Sequence, residues 1–265
     1  MNITEIEQAA HRMRKNILRL AAKAGAEGKG AHIAPSLSAV EILATLFLDI
    51  MRPQDVFILS KGHGGLAYYA ALKEAGIISG EQLDSYEIDG GDFPGQPRKN
   101  IESQIAFSGG SLGMGLSYSC GLAIAAKNCN DDKNIYVLLG NGELNEGSNW
   151  EAVMLAKQYG LSNIVVIIDD NGLQLDGKST EIIDIDLENI FRSFGWETQT
   201  CDGHLTEKLS AAFKFSENAS PKVLFAKTIK GKGVSFMENN NAWHHSRLTE
   251  EKYQEAMEEV EHGGI

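Results

Sequence analysis

Short apolar strands alternating with helical segments predict an α/β protein: a mainly parallel sheet with helices on both faces. Two observations carry this. Residues 136–139 and 164–168 are unbroken apolar runs, as strands buried on both faces require, and a helical pattern over residues 148–159 separates them. A right-handed crossover through that helix makes the strands parallel and brings their C-terminal ends to one edge. Both ends are rich in glycine and side-chain oxygen: Gly140-Asn141-Gly142-Glu143 after the first strand, Asp169-Asp170-Asn171-Gly172-Leu173 after the second. Ligands of open α/β sheets sit on that edge. Glycines there let backbone approach a phosphate, and amide oxygens suit a hard cation such as magnesium.

The other elements follow in order. Residues 6–24 have the apolar spacing of an amphipathic helix, with Thr4 as its expected cap. Residues 25–36 read as a glycine-rich loop and residues 38–47 as a second helix. Residues 56–59 form a short buried strand, followed by Ser60-Lys61-Gly62-His63-Gly64-Gly65 and a helix over 66–74. Residues 90–99, dense in Gly and Pro, form an ordered loop. The segment 108–115 opens a small-residue helix reaching Ala126. Further strands are expected at 196–200 and 223–227, with a helix near 205–215 between them and an acidic helix from Thr249.

The chain has 265 residues, enough for one large domain spanning residues 1–265. Its formal charge is −12, against nucleic-acid binding, which needs a basic face. Cys120, Cys129 and Cys201 form no Cys-x-x-Cys pair and read as reduced thiols of a cytoplasmic protein. The polar start is unlike a signal peptide, and no apolar run approaches the roughly 20 residues of a membrane helix.

One literal motif misleads. Residues 172–179 match G-x-x-x-x-G-K-S after a strand, but a phosphate loop should run straight into a helix. The β-branched stretch that follows places the next helix start near Asp186 instead.

The strand ends and their spacing resemble the thiamine diphosphate fingerprint of the transketolase family, Gly-Asp-Gly followed at this distance by Asp-Asn. The resemblance extends over nearly the whole chain. It implies that Asn141, Asn171 and the Leu173 carbonyl hold magnesium (or calcium or manganese), and that Gly142, Glu143 and Asn171 contact thiamine diphosphate. Ser-Lys-Gly-His resembles the family segment whose His, here His63, meets the diphosphate. Gly30-Ala31-His32 resembles the segment whose His faces the substrate and the reacting carbon, a role that suits an imidazole near neutral pH. Gly110-Ser111-Leu112-Gly113-Met114-Gly115 is similar to the family's Gly-Ser-Leu-Gly-Gln-Gly, whose backbone near Gly110 and Leu112 lies against the aminopyrimidine. Trp243-His244 resembles a Trp-His pair near the phosphate or substrate. Glu146, and less strongly Glu151, match acids that link two active sites across a dimer.

The departures concern the metal and the substrate. Asn141 stands where Asp is usual, Gln96 where a substrate-contacting His is usual, Met114 where Gln is usual, and His245 where Gly is usual. Asn141 removes one negative charge from the metal site. Gln96 still hydrogen-bonds but does not titrate.

The resemblance covers only the family's diphosphate-binding domain. It implies a second chain carrying the pyrimidine-binding domain, in an assembly such as α2β2. The activity implied is ketol transfer from a ketose, phosphorylated or not, to an aldose. The alternatives are a thiamine enzyme with an α-keto acid donor and a non-catalytic regulatory subunit.

Overall fold

The computed structural model of the protein describes residues 1–216 and 218–263; Glu217, Gly264 and Ile265 lie outside it. Five strands form one parallel sheet: β1 (Val56–Leu59), β2 (Ile135–Gly140), β3 (Ile164–Asp170), β4 (Glu197–Asp202) and β5 (Lys222–Lys227). Their order is β1-β2-β3-β5-β4.

Successive side chains of a strand point to opposite faces, and the sheet builds two cores in this way. Phe57, Leu59, Tyr136, Leu138, Val165, Ile167 and Leu224 pack under the helices Ile3–Ala26, Gly65–Glu74, Thr206–Ala212 and Glu250–His262. Ile58, Val137, Leu139, Val166, Ile168 and Phe225 pack under Met114–Asn128, Gly147–Gln158 and Leu187–Ser193. The continuous apolar runs of β2 and β3 thus mark central strands covered on both sides, as expected.

Three local expectations are corrected. The first helix starts at Ile3, and its cap is Asn2: Asn2 Oδ1 accepts from the Glu5 amide at 2.9 Å, and the Glu5 carboxylate accepts from the Asn2 amide at 3.0 Å. This reciprocal capping box outcompetes a cap at Thr4. The loop-then-helix expected over 25–47 is instead two short helices, Ala34–Leu37 and Val40–Thr45, continued by a π turn over Leu46–Ile50. The break falls at Ser38-Ala39, where the Ser38 hydroxyl donates to Asp169 at 2.6 Å. A single helical turn, Ser179–Ile182, follows the G-x-x-x-x-G-K-S match before the expected helix, which Asp186 caps. The match is still no phosphate loop. Its backbone folds on itself, with the Gln174 amide bonded to Gly177 O at 2.8 Å and the Ser179 amide to Gly172 O at 2.9 Å. No helix among the described residues is long and apolar enough to cross a membrane.

Candidate active site

The C-terminal ends of β1, β2, β3 and β5 feed four short segments into one place. Ser60-Lys61 and a 3-10 turn over Gly62–Gly64 leave β1, Asn141 and a turn over Gly142–Asn145 leave β2, Asn171 to Leu173 leave β3, and Thr228 to Lys230 leave β5. They surround a cavity of about 230 Å³. Larger hollows lie elsewhere, but this one sits on the sheet edge where the fold gathers its polar groups.

Two lysines border it. Lys61 is 1% exposed and pairs with Asp169, which is fully buried. Asp169 also accepts from Ser38 and Thr228, and Lys61 donates to Pro35 O at 2.9 Å. Burial alone would raise the Asp169 carboxyl, but Lys61 and these hydrogen bonds outweigh it and hold it below the usual range. Lys230 is 2% exposed, and among the described residues its hydrogen-bond partners are neutral, Asn241 Oδ1 at 2.9 Å and Gln174 O at 3.3 Å. Burial and the nearby Lys61 push its ammonium down to about 8. The Glu143 and Asp176 side chains border the cavity along with the two lysines.

Histidines from distant segments meet beside it. The His32 ring centre lies 6.0 Å from that of His63, 5.5 Å from His244 and 4.5 Å from His245, and His63 lies 5.3 Å from His244. Burial, with neighbouring cations and imidazoles, pushes His32 down to about 4 and His244 to about 3, and holds His63 well below the ordinary range. All three rings are therefore neutral near pH 7. The Nδ1 atom of His244 is buried without a hydrogen-bond partner.

The oxygen ligands expected for a metal border the same cavity. Asn141 donates through Nδ2 to Ser179 Oγ at 2.7 Å, leaving its amide oxygen for another partner. Asn171 Oδ1 accepts from the Leu173 amide at 3.1 Å, and its Nδ2 lies 3.4 Å from Asp169. Asp170 is drawn away to Lys227, 2.5 Å from its carboxylate.

Leu112 and Gly142 also border the cavity. Gly110, at φ +140°, faces Gln96 Oε1, as does Gly62, so Gln96 lies over the His63 turn. Glu143 borders the cavity too, and its carboxylate accepts from Ser60 Oγ, from the Gly113 amide at 2.9 Å and from the Gly140 amide at 3.2 Å. Five expected residues do not line the cavity: His32, which meets His63 and His244 beside it, Gln96, Gly110, Met114 and Glu146. Met114 opens its helix half-exposed, and Glu146 is exposed at the start of the helix Gly147–Gln158. Reading the sequence alone misses Lys61, Asp169 and Lys230. The signal available is their position, each directly at or after the end of an apolar strand.

Comparison with known proteins agrees with this fold. Residues 10–262 match the family model described as transketolase, thiamine diphosphate binding domain. The chain is 38% identical to one of the subunits of apulose-4-phosphate transketolase from Actinobacillus succinogenes, covering 98% of this chain and 97% of that one. It is 36% identical to 6-deoxy-6-sulfo-D-fructose transketolase subunit SqwG of a Clostridium species, covering 98% of each. A crystal structure of transketolase from Campylobacter jejuni superposes over 98% of this chain with a TM-score of 0.86 at 25% identity. The chain spans 43% of that longer protein. The chain belongs to the transketolase family, as a thiamine diphosphate-binding domain.

Proposed function

We propose that this chain is the N-terminal, diphosphate-binding subunit of a two-chain transketolase, moving a two-carbon ketol unit from a ketose or ketose phosphate to an aldose. The observation that carries this is the cavity at the sheet edge bordered by Lys61 and Lys230, above all Lys230, a buried ammonium whose hydrogen-bond partners among the described residues are neutral. A diphosphate would supply the missing charge.

The residues present fit thiamine diphosphate. Lys230, His63 and the unpartnered Nδ1 of His244 would hold the diphosphate. Asn141, Asn171 and the Leu173 carbonyl would hold magnesium, a cation that takes a few protein oxygens alongside substrate phosphates. The cofactor, when bound, supplies the electron sink for carbon–carbon cleavage. This chain orients it and handles protons beside it. His32 is neutral at pH 7 and so accepts a substrate hydroxyl proton at its unprotonated ring nitrogen. Gln96, above the Gly62 and Gly110 backbone, donates and accepts hydrogen bonds to sugar hydroxyls.

A partner chain completes the enzyme in the cytoplasm, in an assembly such as α2β2. Two relatives of nearly this length are named as subunits. Tyr118, Met154, Leu155 and Tyr159 are exposed on the adjacent helices Met114–Asn128 and Gly147–Gln158, beside exposed Glu146 and Glu151. Leu175, which borders the cavity, is exposed as well. Such apolar surface marks an interface.

The test is co-expression with a candidate partner, followed by incubation with thiamine diphosphate, magnesium, ketose donors and aldose acceptors. An aldose two carbons shorter than the donor ketose and a ketose two carbons longer than the acceptor aldose are expected. Carbon dioxide release from a keto acid without ketol transfer would replace this reading, and cofactor binding with no turnover on any donor would leave the regulatory one.

A further inference from the structure

We propose that Arg14, Glu41 and His204 form a buried clamp that positions Lys230, and that His204 and Arg14 are therefore positioning residues for the diphosphate site. This rests on the reading of Lys230 given above.

The clamp joins three regions far apart in sequence. Arg14 lies in the helix Ile3–Ala26, Glu41 in the helix Val40–Thr45, and His204 just beyond β4. The Glu41 carboxylate is buried between the other two: one oxygen pairs with Arg14 Nη2, the other lies 2.9 Å from His204 Nδ1. Burial alone would raise the Glu41 carboxyl, yet Arg14 and His204 outweigh it and hold it below the usual range.

Both partners of Glu41 then reach the segment after β5. His204 Nε2 accepts from the Ile229 amide at 2.8 Å. That bond fixes the tautomer, because an accepting Nε2 leaves the proton on Nδ1, where it is donated to Glu41. Arg14 Nε donates to Lys232 O at 3.2 Å. Its side chain also lies where a Cβ on Gly233 would be, 2.9 Å from Nε, and Gly233 holds φ at +92°. Ile229 and Lys232 flank Lys230 on either side. The clamp thus pins the backbone before and after Lys230, the cavity lysine whose hydrogen-bond partners among the described residues are neutral. None of its three side chains borders that cavity. They border a separate hollow of about 360 Å³, which gives small molecules access to the imidazole site.

The test combines three readouts on the full chain. Removing the imidazole in His204→Ala should speed hydrogen exchange of the Ile229 amide and weaken binding of magnesium pyrophosphate roughly tenfold. Added imidazole should restore both. In a Lys230→Ala background, His204→Ala should change affinity less than about twofold, because the residue it positions is gone. If His204→Ala fails to fold, His204→Asn keeps a donor to Glu41 and removes the acceptor for Ile229, with the same expectations. Equal losses in both backgrounds, or unchanged Ile229 exchange, would overturn the proposal. If the unaltered chain binds no magnesium pyrophosphate, or Lys230→Ala binds it normally, the reading of Lys230 falls instead, and Ile229 exchange with imidazole rescue alone decides the clamp.

Discussion

Lys61 and Asp169, 108 positions apart, meet as an ion pair sealed from solvent, their side chains 1% and 0% exposed. The pair ties the end of β1 to the end of β3 and sets the charge of the cavity between them. Removing one partner leaves a buried charge alone, which costs far more than the pair contributes.

Lys61→Met and Asp169→Asn should each lower stability to chemical denaturation by about 3–5 kcal/mol. The double variant should lose clearly less than the two losses added together. Additive losses would show that the two side chains act independently.

The Glu143 carboxylate accepts one hydroxyl and two amides from three separate segments. Glu143→Gln puts an NH₂ group where an acceptor is needed. A buried donor left without its acceptor costs about 1–3 kcal/mol, so a stability loss in that range is expected in urea. An unchanged unfolding midpoint would mean that Glu143 is free to serve the ligand.

In the proposed metal site Asn141 would offer magnesium its amide oxygen, while its nitrogen bonds Ser179 Oγ. An aspartate there keeps that contact by accepting from the serine hydroxyl and adds a negative charge. Asn141→Asp should tighten magnesium binding by roughly tenfold, because ligand charge tunes affinity for hard cations. Equal magnesium titrations for both proteins would remove Asn141 from the metal site.

The histidine cluster makes the fold sensitive to acid. His32 and His244 have folded values of about 4 and about 3, below the ordinary value of 6.5. Below pH 6.5 the unfolded chain binds protons that the folded chain refuses, so stability is lost as pH falls from about 6.5 through 4. His32→Asn should lose less stability than the unaltered protein between pH 7 and pH 5. Parallel pH curves would show that His32 is not held neutral.

Tyr159 and Met154 stand 54% and 48% exposed, at the end and in the middle of the helix that Glu146 begins. Met154→Glu should leave the chain folded and weaken its association with itself or its partner at least tenfold, read by sedimentation. Unaltered association would place the interface elsewhere.

The sheet is legible in the sequence because β2 and β3 are apolar without interruption, a pattern that few other elements share. Thr249 and Asp186 mark helix starts correctly. The cap at Asn2 is also written locally, as Asn followed by Glu three residues later, in competition with Thr4 beside it. The break at Ser38-Ala39 is not legible, because its partner Asp169 lies 131 positions away. The site divides along the same line. His32, His63 and His244 stand out against glycine-rich surroundings. Lys61, Asp169 and Lys230 look like ordinary surface charges until folding buries them together. Glu143 sits in the fingerprint loop, where a ligand role is expected, yet its carboxylate closes that loop.

In the proposed function the cavity receives a diphosphate, and Lys230, whose hydrogen-bond partners among the described residues are neutral, meets it. The most direct measurement of this is calorimetric titration of thiamine diphosphate with magnesium into the chain and its co-expressed partner, comparing the unaltered protein with Lys230→Met, alongside their thermal unfolding. One site per chain is expected, with affinity at least roughly tenfold weaker in Lys230→Met. The unliganded melting temperature of the variant should be equal or higher, since a buried ammonium without a carboxylate is costly to fold. Equal affinity for the two proteins, or no binding by either, would contradict a lysine held in place for the diphosphate.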